Sequence, residues 1–295
     1  MSADYTTTGL IANCRRRGAI PVGSGLTTVE LLRVLSEQSR TYIPAFLKGI
    51  REEYTVAELN ITVTSATVPI PARACGAALR SIAWLQSDGN VGPPLARIEP
   101  ERRSEYPGTA SAPSGFMFQG NNCILLPSVT SGTLVVSYQQ RPGELVLASD
   151  CAVAAAATNG ALLGITGSLP TTFVAGTVCD IVSHAPNFKL LAMDAVISIV
   201  TGSVITFTAA LPTDIVGGDF LCLANETCIP RVPIECLDLL AQAAAMEIAQ
   251  STGSTRLGAI KDGLRDLRAQ VEMILSPRAD GSARVIVSRS RLGRQ

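Results

Sequence analysis

Leu257, Ile260, Leu264, Leu267, Val271 and Ile274 recur at spacings of 3, 4, 3, 4 and 3. This is the rhythm that keeps one stripe of a helix pressed against another helix. A helix of that kind over 255–275, about 30 Å long at 1.5 Å per residue, is not stable alone, so the fold must cover the seam. Two other segments carry suitable faces. After Pro233, which suits a first helical position, the run IECLDLLAQAAAMEIAQS places Ile234, Leu237, Leu240 and Ile248 among alanines small enough for close helix approach. Thr252-Gly253-Ser254 breaks this helix from the next, and Pro277 ends the second. Near the other end, residues 27–54 open on Thr27 and Glu30, the spacing of a capping box. Leu32, Leu35, Tyr42, Ile43, Phe46, Leu47, Ile50 and Tyr54 then form an apolar stripe. Pro44 sits inside that stripe and predicts a kink or a split, because it removes a donor and its ring clashes with the preceding turn.

Between the helical ends the period changes to 2. VAELNITV, RSIAWL, GFMFQGNNCILL, GTLVVSYQQ, DIVSHAP, AVISIV and SVITFTAAL are short, rich in β-branched residues and bounded by Pro, Gly, Asn or Asp. Residues 88–113, rich in Pro, Gly and charge, read as a long loop. The stretches TGSLPTTFVAG and TGSVITFTAALP are two turn-plus-strand units rather than an established repeat. The expected fold is therefore α+β. N- and C-terminal helices form a bundle, and a large β-rich domain, barrel or sandwich-like, is inserted between them. The expected parts are an N-terminal arm and helix over 1–54, the β-rich domain over 55–230, the C-terminal helices over 231–277 and a basic tail over 278–295.

The chain carries 24 basic and 24 acidic side chains, so no global field draws it to nucleic acid or anionic lipid. Lys48, Lys189 and Lys261 are its lysines; the other 21 basic residues are arginines, which suit forked ion pairs at interfaces. Charge is uneven locally. From 151 to 230, Lys189 stands against Asp180, Asp194, Asp214, Asp219 and Glu226, and this acidic stretch is expected to face away from the tail's docking surface and to border a DNA path without holding phosphates. The tail carries Arg278, Arg284, Arg289, Arg291 and Arg294 against Asp280, around the apolar Val285-Ile286-Val287. No run of apolar residues is long enough to span a bilayer. Residues 1–10 show no basic stretch followed by an apolar core, the pattern of a secretory leader.

Catalytic signatures are missing. His184, the single histidine, stands in Ser183-His184-Ala185-Pro186 without a nucleophile elbow and reads as a strand-end or turn residue. Gly23-Ser24-Gly25-Leu26 lacks the ending of a phosphate loop. Glu52, Glu53, Glu99, Glu101 and Glu105 read as solvated surface charge. The cysteines at 14, 75, 123, 151, 179, 222, 228 and 236 contain no C-x2-C pair, so neither a metal nor a cofactor is expected. Most read as buried small hydrophobes of a protein made in a reducing cytoplasm, the competing expectation being exposed thiols that staple neighbouring subunits.

Four stretches together carry a resemblance: LLRVLSEQSRTYIPAFLKGIREEY, VPIPARACGAALRSIAWL, GFMFQGNNCILLPSVTSGTLVVSYQQRPGELV and LPTDIVGGDFLCLANETCIPRVPIECLDLLAQ. The chain resembles the head-to-tail adaptor, or connector, proteins of tailed bacteriophages, those with a β-rich insertion in the helical adaptor bundle. The resemblance implies a structural virion protein with no active site. It would be assembled in the host cytoplasm into a homo-oligomeric ring, usually of twelve copies, in the neck at the portal vertex. Its implied partners are the portal protein above and a neck or tail-completion protein below, with genomic DNA passing through the channel without sequence-specific binding. It also implies a C-terminal extension that grips the portal, a role that falls on Arg284, Val285, Ile286, Val287, Arg289, Arg291 and Arg294. The tail is expected to order only on that partner.

The alternative reading is a ligand- or carbohydrate-binding β module of a tail fibre or adhesin on a helical stalk. With 7 Phe, 5 Tyr and the single Trp84, the chain is poor in stacking platforms. An enzyme working through acidic residues ranks last.

Overall fold

The computed structural model describes residues 4–21, 23, 25–50, 52–156, 160–184 and 188–276. The fold is α+β. Among the described residues five helices form one body: α1 (Thr7–Gly18), α2 (Thr28–Arg40), α3 (Tyr42–Ile50), α4 (Leu237–Ser251) and α5 (Leu257–Leu275). At the centre lies α4, which packs against α1, α2 and α5. Its Leu239, Leu240, Ala241, Ala243, Ala244 and Ala245 are sealed from solvent. A helix apolar on every side is stable only when surrounded, and the alanines let three neighbours approach closely.

Three readings of the helices are corrected. Residues 1–26 are not only an arm, because α1 buries Leu10, Ile11 and Cys14 against α4. The helix expected over 27–54 does split, but at Thr41, three residues before Pro44. Pro44 has no N–H for the Arg40 carbonyl, so the ladder of α2 stops at that carbonyl and Pro44 is accommodated in the first turn of α3. The capping box at the start of α2 forms in full. The Glu30 N–H donates to Thr27 Oγ1 at 3.2 Å, and the Thr27 N–H donates to Glu30 Oε2 at 2.7 Å.

The third correction concerns the seam of α5. Ile260, Leu264 and Val271 are buried and Leu257 and Leu267 pack partly buried against the core, but Ile274 is 62% exposed and Leu275 takes its place. A straight helix turns 3.6 residues per turn and drifts about 20° per heptad from a strict 3.5 repeat. By the third heptad the buried stripe has moved on by one residue.

The β-rich middle is two bodies rather than one. The first holds β1 (Val56–Val63), β2 (Thr67–Pro69), β3 (Ala74–Leu85), β4 (Val91–Pro94), β5 (Ala96–Arg97), β6 (Gly115–Gln119), β7 (Asn122–Leu126) and β8 (Gly132–Gln140). They make two four-stranded sheets, ordered β1-β8-β3-β4 and β2-β7-β6-β5. Val63, Ile82, Leu134, Val136 and Tyr138 of the first sheet share a core with Val68, Phe116, Cys123 and Leu125 of the second. Residues 88–113 are not simply a loop. They supply β4, β5 and a 3-10 turn at Pro100–Glu105, and Ile98 and Tyr106 pack on Met117, Ile124 and Leu126, the outer face of the second sheet. Trp84 is held within this body, its six-membered ring lying over Gly132.

After β9 (Glu144–Leu145) comes a closed barrel ordered β10-β11-β14-β13-β12-β15. Its strands are β10 (Ala152–Ala154), β11 (Leu162–Thr166), β12 (Val178–Val182), β13 (Leu190–Thr201), β14 (Val204–Phe207) and β15 (Phe220–Leu223). Leu163, Ile181, Ile197, Ile205 and Leu221 fill it. A last short strand, β16 (Glu226–Thr227), pairs in parallel with β9 and leads back to the helices.

One buried ion cluster joins the two β bodies. Arg73, before β3, reaches across to the barrel wall and grips Asp180 of β12 with Nη1 at 2.5 Å and Nη2 at 2.8 Å. Arg73 also bonds Asp194 of β13. The Asp180 carboxylate accepts the N–H groups of Asp194 and Asn225 at 3.0 Å each. Both residues of the Arg73–Asp180 pair are buried, so every oxygen of that carboxylate is spoken for.

Candidate functional site

A groove of about 790 Å³ lies between the β1–β8 face, the start of β13 and the end of α5. Tyr54, Glu58, Lys189, Glu235 and Leu275 line it, with Arg231 at its base. Arg231 arrives there because residues 228–236 run from the barrel back to the helices along the underside of the groove. Its guanidinium stacks over the Phe188 ring at 5.7 Å from the centroid.

The electrostatics of Arg231 are unusual. Nη1 is shut off from solvent and has no hydrogen-bond partner among the described residues. Burial lowers its pKa from 12.5 to about 10. The carboxylates of the same groove do not relieve it: Glu58 accepts from Ser137 Oγ at 2.9 Å, and Glu235 lies exposed at the wall. A buried cation without a partner costs free energy, whereas a buried cation bonded to a carboxylate does not bear the same penalty. The groove thus presents a half-buried guanidinium whose sealed Nη1 meets no acceptor among the described residues. Met273 and Ile274, 69% and 62% exposed, continue from its rim as an apolar edge on α5.

A second uncharged surface lies on the outside of the barrel. Leu162 pairs with Thr206 and Thr206 with Ile199, while Gly164 pairs with Val204 and Val204 with Thr201. Alternate residues of β11, β14 and β13 therefore present Leu162, Val204 and Ile199 on one outward face, all exposed. Thr206, Gly164 and Thr201 stand among them, so the face is uncharged and in part apolar.

Other residues singled out by sequence fall as follows. The tail positions Arg284, Val285, Ile286, Val287, Arg289, Arg291 and Arg294 lie outside the described residues. His184 stands just past the end of β12, with Nδ1 2.7 Å from Asp219 Oδ1. Asp219 also accepts the N–H groups of His184 and Val216, which makes the pair a clasp on the turn before β15. The acidic stretch is partly turned inward. Asp180 and Asp219 are consumed inside the fold, and Asp214 is paired with Lys189 at 2.6 Å, so little of the counted charge is a free wall. Charge counting along a sequence cannot separate carboxylates that face solvent from those that accept buried N–H groups.

Thiols exposed for stapling subunits are largely absent, for among the eight cysteines only Cys75 is exposed. Sequence reading missed two features. Nothing in the chain marks Arg231 as lacking a partner, and Cys151, Cys222 and Cys228 meet in space without a recognisable spacing. No helix among the described residues is long and apolar enough to cross a membrane.

A protein-family model described as SU10 adaptor protein matches residues 10–185. That span covers most of α1, then α2, α3, the two-sheet body and the barrel as far as β12. No curated protein matches the chain.

Proposed function

Since the chain belongs to the SU10 adaptor protein family, a family of phage adaptors, we propose that it works as a ring-forming head-to-tail adaptor. In this reading it is a structural component of the virion neck, copies of it close into a ring under the portal, and the ring joins portal to tail around the path of the genome. The observation that carries the reading beyond the family is Arg231. A half-buried guanidinium with a sealed nitrogen unpartnered among the described residues, at the base of an open groove with an apolar rim, is in this reading half of an interface. A carboxylate from a neighbouring chain completes it, and the desolvated, charge-assisted bond so formed favours association. The uncharged barrel face of Leu162, Val204 and Ile199 adds apolar contact area of the sort that subunit interfaces bury.

The C-terminal tail acts in this proposal as the grip on the portal. Val285-Ile286-Val287 has the β-branched character of an added edge strand, and the arginines around it fork onto carboxylates. Many weak tails on one ring make a tight joint through effective concentration. DNA passes without sequence-specific contact. The test is native mass measurement and electron microscopy of the full chain, alone and with its portal, alongside a truncation ending at Ser276. The expected result is a closed ring that binds the portal, and a truncation that loses portal affinity. A chain that stays monomeric with the portal present would overturn the reading. Unchanged portal affinity on truncation would remove the tail from it.

A further inference from the structure

Three buried thiols converge where the barrel meets the helices. Cys151 immediately precedes β10, Cys222 lies in β15 and Cys228 follows β16, and their sulfurs all fall within 4.8 Å of one another. The Cys228 carbonyl accepts the N–H of Thr7, the first residue of α1, at 2.9 Å. Cys151 Sγ and Cys222 Sγ are 3.0 Å apart. The antiparallel register explains that approach. Ala152 pairs with Leu221 and Val153 with Phe220, so the same register carried one residue further sets Cys151 directly opposite Cys222. Opposed residues on antiparallel strands bring their β carbons close to the separation that a disulfide spans.

We propose that Cys151 and Cys222 are the site of an intrachain, cross-strand disulfide, formed by a small-molecule disulfide such as oxidised glutathione. The oxidising setting rests on the virion reading, since particles made in a reducing cytoplasm are released into an oxidising medium. The cross-link itself does not rest on it, and the test uses the free chain.

The roles of the three sulfurs differ. Cys151 keeps 6% exposure while Cys222 and Cys228 have none, so Cys151 meets the oxidant. Its sulfur attacks glutathione disulfide, an S–S bond to glutathione forms, and one glutathione leaves. Cys222 then attacks the Cys151 sulfur and the second glutathione leaves. Two S–H bonds are replaced by one S–S bond, the protein gives up two electrons, and the two departing glutathiones carry away the electrons and both protons. Cys222 suits the attacking role, because its sulfur lies 3.0 Å from that of Cys151 on the facing strand.

A metal held by the three sulfurs is the rival use of the cluster. Three thiolates around a divalent cation keep a net negative charge, beside Val182, Ile229 and Phe188 and within reach of the Asp180 carboxylate. A disulfide is neutral and suits that apolar shell. The cross-link also falls where the barrel needs it, since β10 holds β15 through only two residue pairs.

The experiment splits one preparation of the full chain carrying Cys75→Ser, which removes the exposed thiol. Half stays in phosphine reductant and half is incubated with oxidised glutathione. Both are then alkylated in denaturant and mapped by peptide mass. The expected result is a monomer in which the peptides of Cys151 and Cys222 are joined and Cys228 is alkylated, with a melting temperature about 5–10 °C above the reduced half for a loop of this length. Cys228→Ser should keep the link, and Cys151→Ser and Cys222→Ser should each abolish it. A link between Cys222 and Cys228, full alkylation of all three thiols after oxidation, or one stoichiometric zinc that survives dialysis and blocks oxidation would each overturn the proposal. The mapping of the parent chain decides the matter even if a serine variant fails to fold.

Discussion

Replacing Arg231 with Met keeps a flexible unbranched stem and removes a charge whose Nη1 has no hydrogen-bond partner among the described residues, so it should stabilise the isolated subunit. The fall in pKa from 12.5 to about 10 corresponds to roughly 3 kcal/mol of lost interaction for the charged form, at 1.36 kcal/mol per pH unit. Only Nη1 is sealed off, and the residue as a whole is half-buried, so solvent screening brings this to about 1.5–2 kcal/mol. Losing the contact with Phe188 returns about 0.5–1 kcal/mol. The net expectation is a gain of about 1 kcal/mol. In urea unfolding of the full chain at neutral pH, the midpoint should rise by about 0.5 M with the slope unchanged. The pH dependence follows from the direction of the shift. The folded state holds this proton less tightly than the unfolded state, so parent stability should climb as pH rises past about 10 toward 12.5, and the variant should lack that rise. In the assembled ring the sign reverses, and Arg231→Met should weaken subunit association. A variant less stable than its parent by 1 kcal/mol or more would refute the reasoning, because Arg231 would then have a partner within its own chain.

Leu264→Asp places a carboxylate at a position 7% exposed in the bundle core, and should cost several kcal/mol and prevent soluble assembly, read by native gel and circular dichroism. Arg73→Ala strips the cation from buried Asp180, and should cost about 3–5 kcal/mol by chemical denaturation; a double variant that also replaces Asp180 with Asn should recover part of that loss. Gly132→Ala should destabilise by about 1–3 kcal/mol, since an added Cβ would lie 2.1 Å from the Trp84 ring and φ there is +140°; a quenched or shifted Trp84 emission would report the same displacement.

What could be read before the structure was local. The spacing from Leu257 to Val271 is set by helix geometry, and the Thr27–Glu30 box by four orphan N–H groups, so both were visible in a few residues. Helix α1 was not, because TTGLIANCRRRG has only one apolar patch and owes its helicity to the face of α4, more than 200 residues away in sequence. The division of the β region into two bodies depends on β1 pairing with β8 rather than with β2, and strand periodicity carries no information about partners. Arg231 and the thiol cluster were illegible for the same reason. One is a nitrogen that folding seals away from any acceptor among the described residues, the other three residues that meet only when the barrel closes.

The position of α4 at the centre of the helices also sets a timetable. Leu31, Leu35, Ile43, Phe46 and Leu47 belong to a core whose middle helix begins at Leu237. During synthesis these side chains leave the ribosome about 190 residues before their cover, a delay of roughly 10–40 s at 5–20 residues per second. Both β bodies can fold within that interval, while the apolar faces of α2 and α3 wait. The two ends of the chain therefore finish the molecule together and last, and a ribosome stalled anywhere before α4 leaves a subunit with formed sheets and a sticky, half-built head.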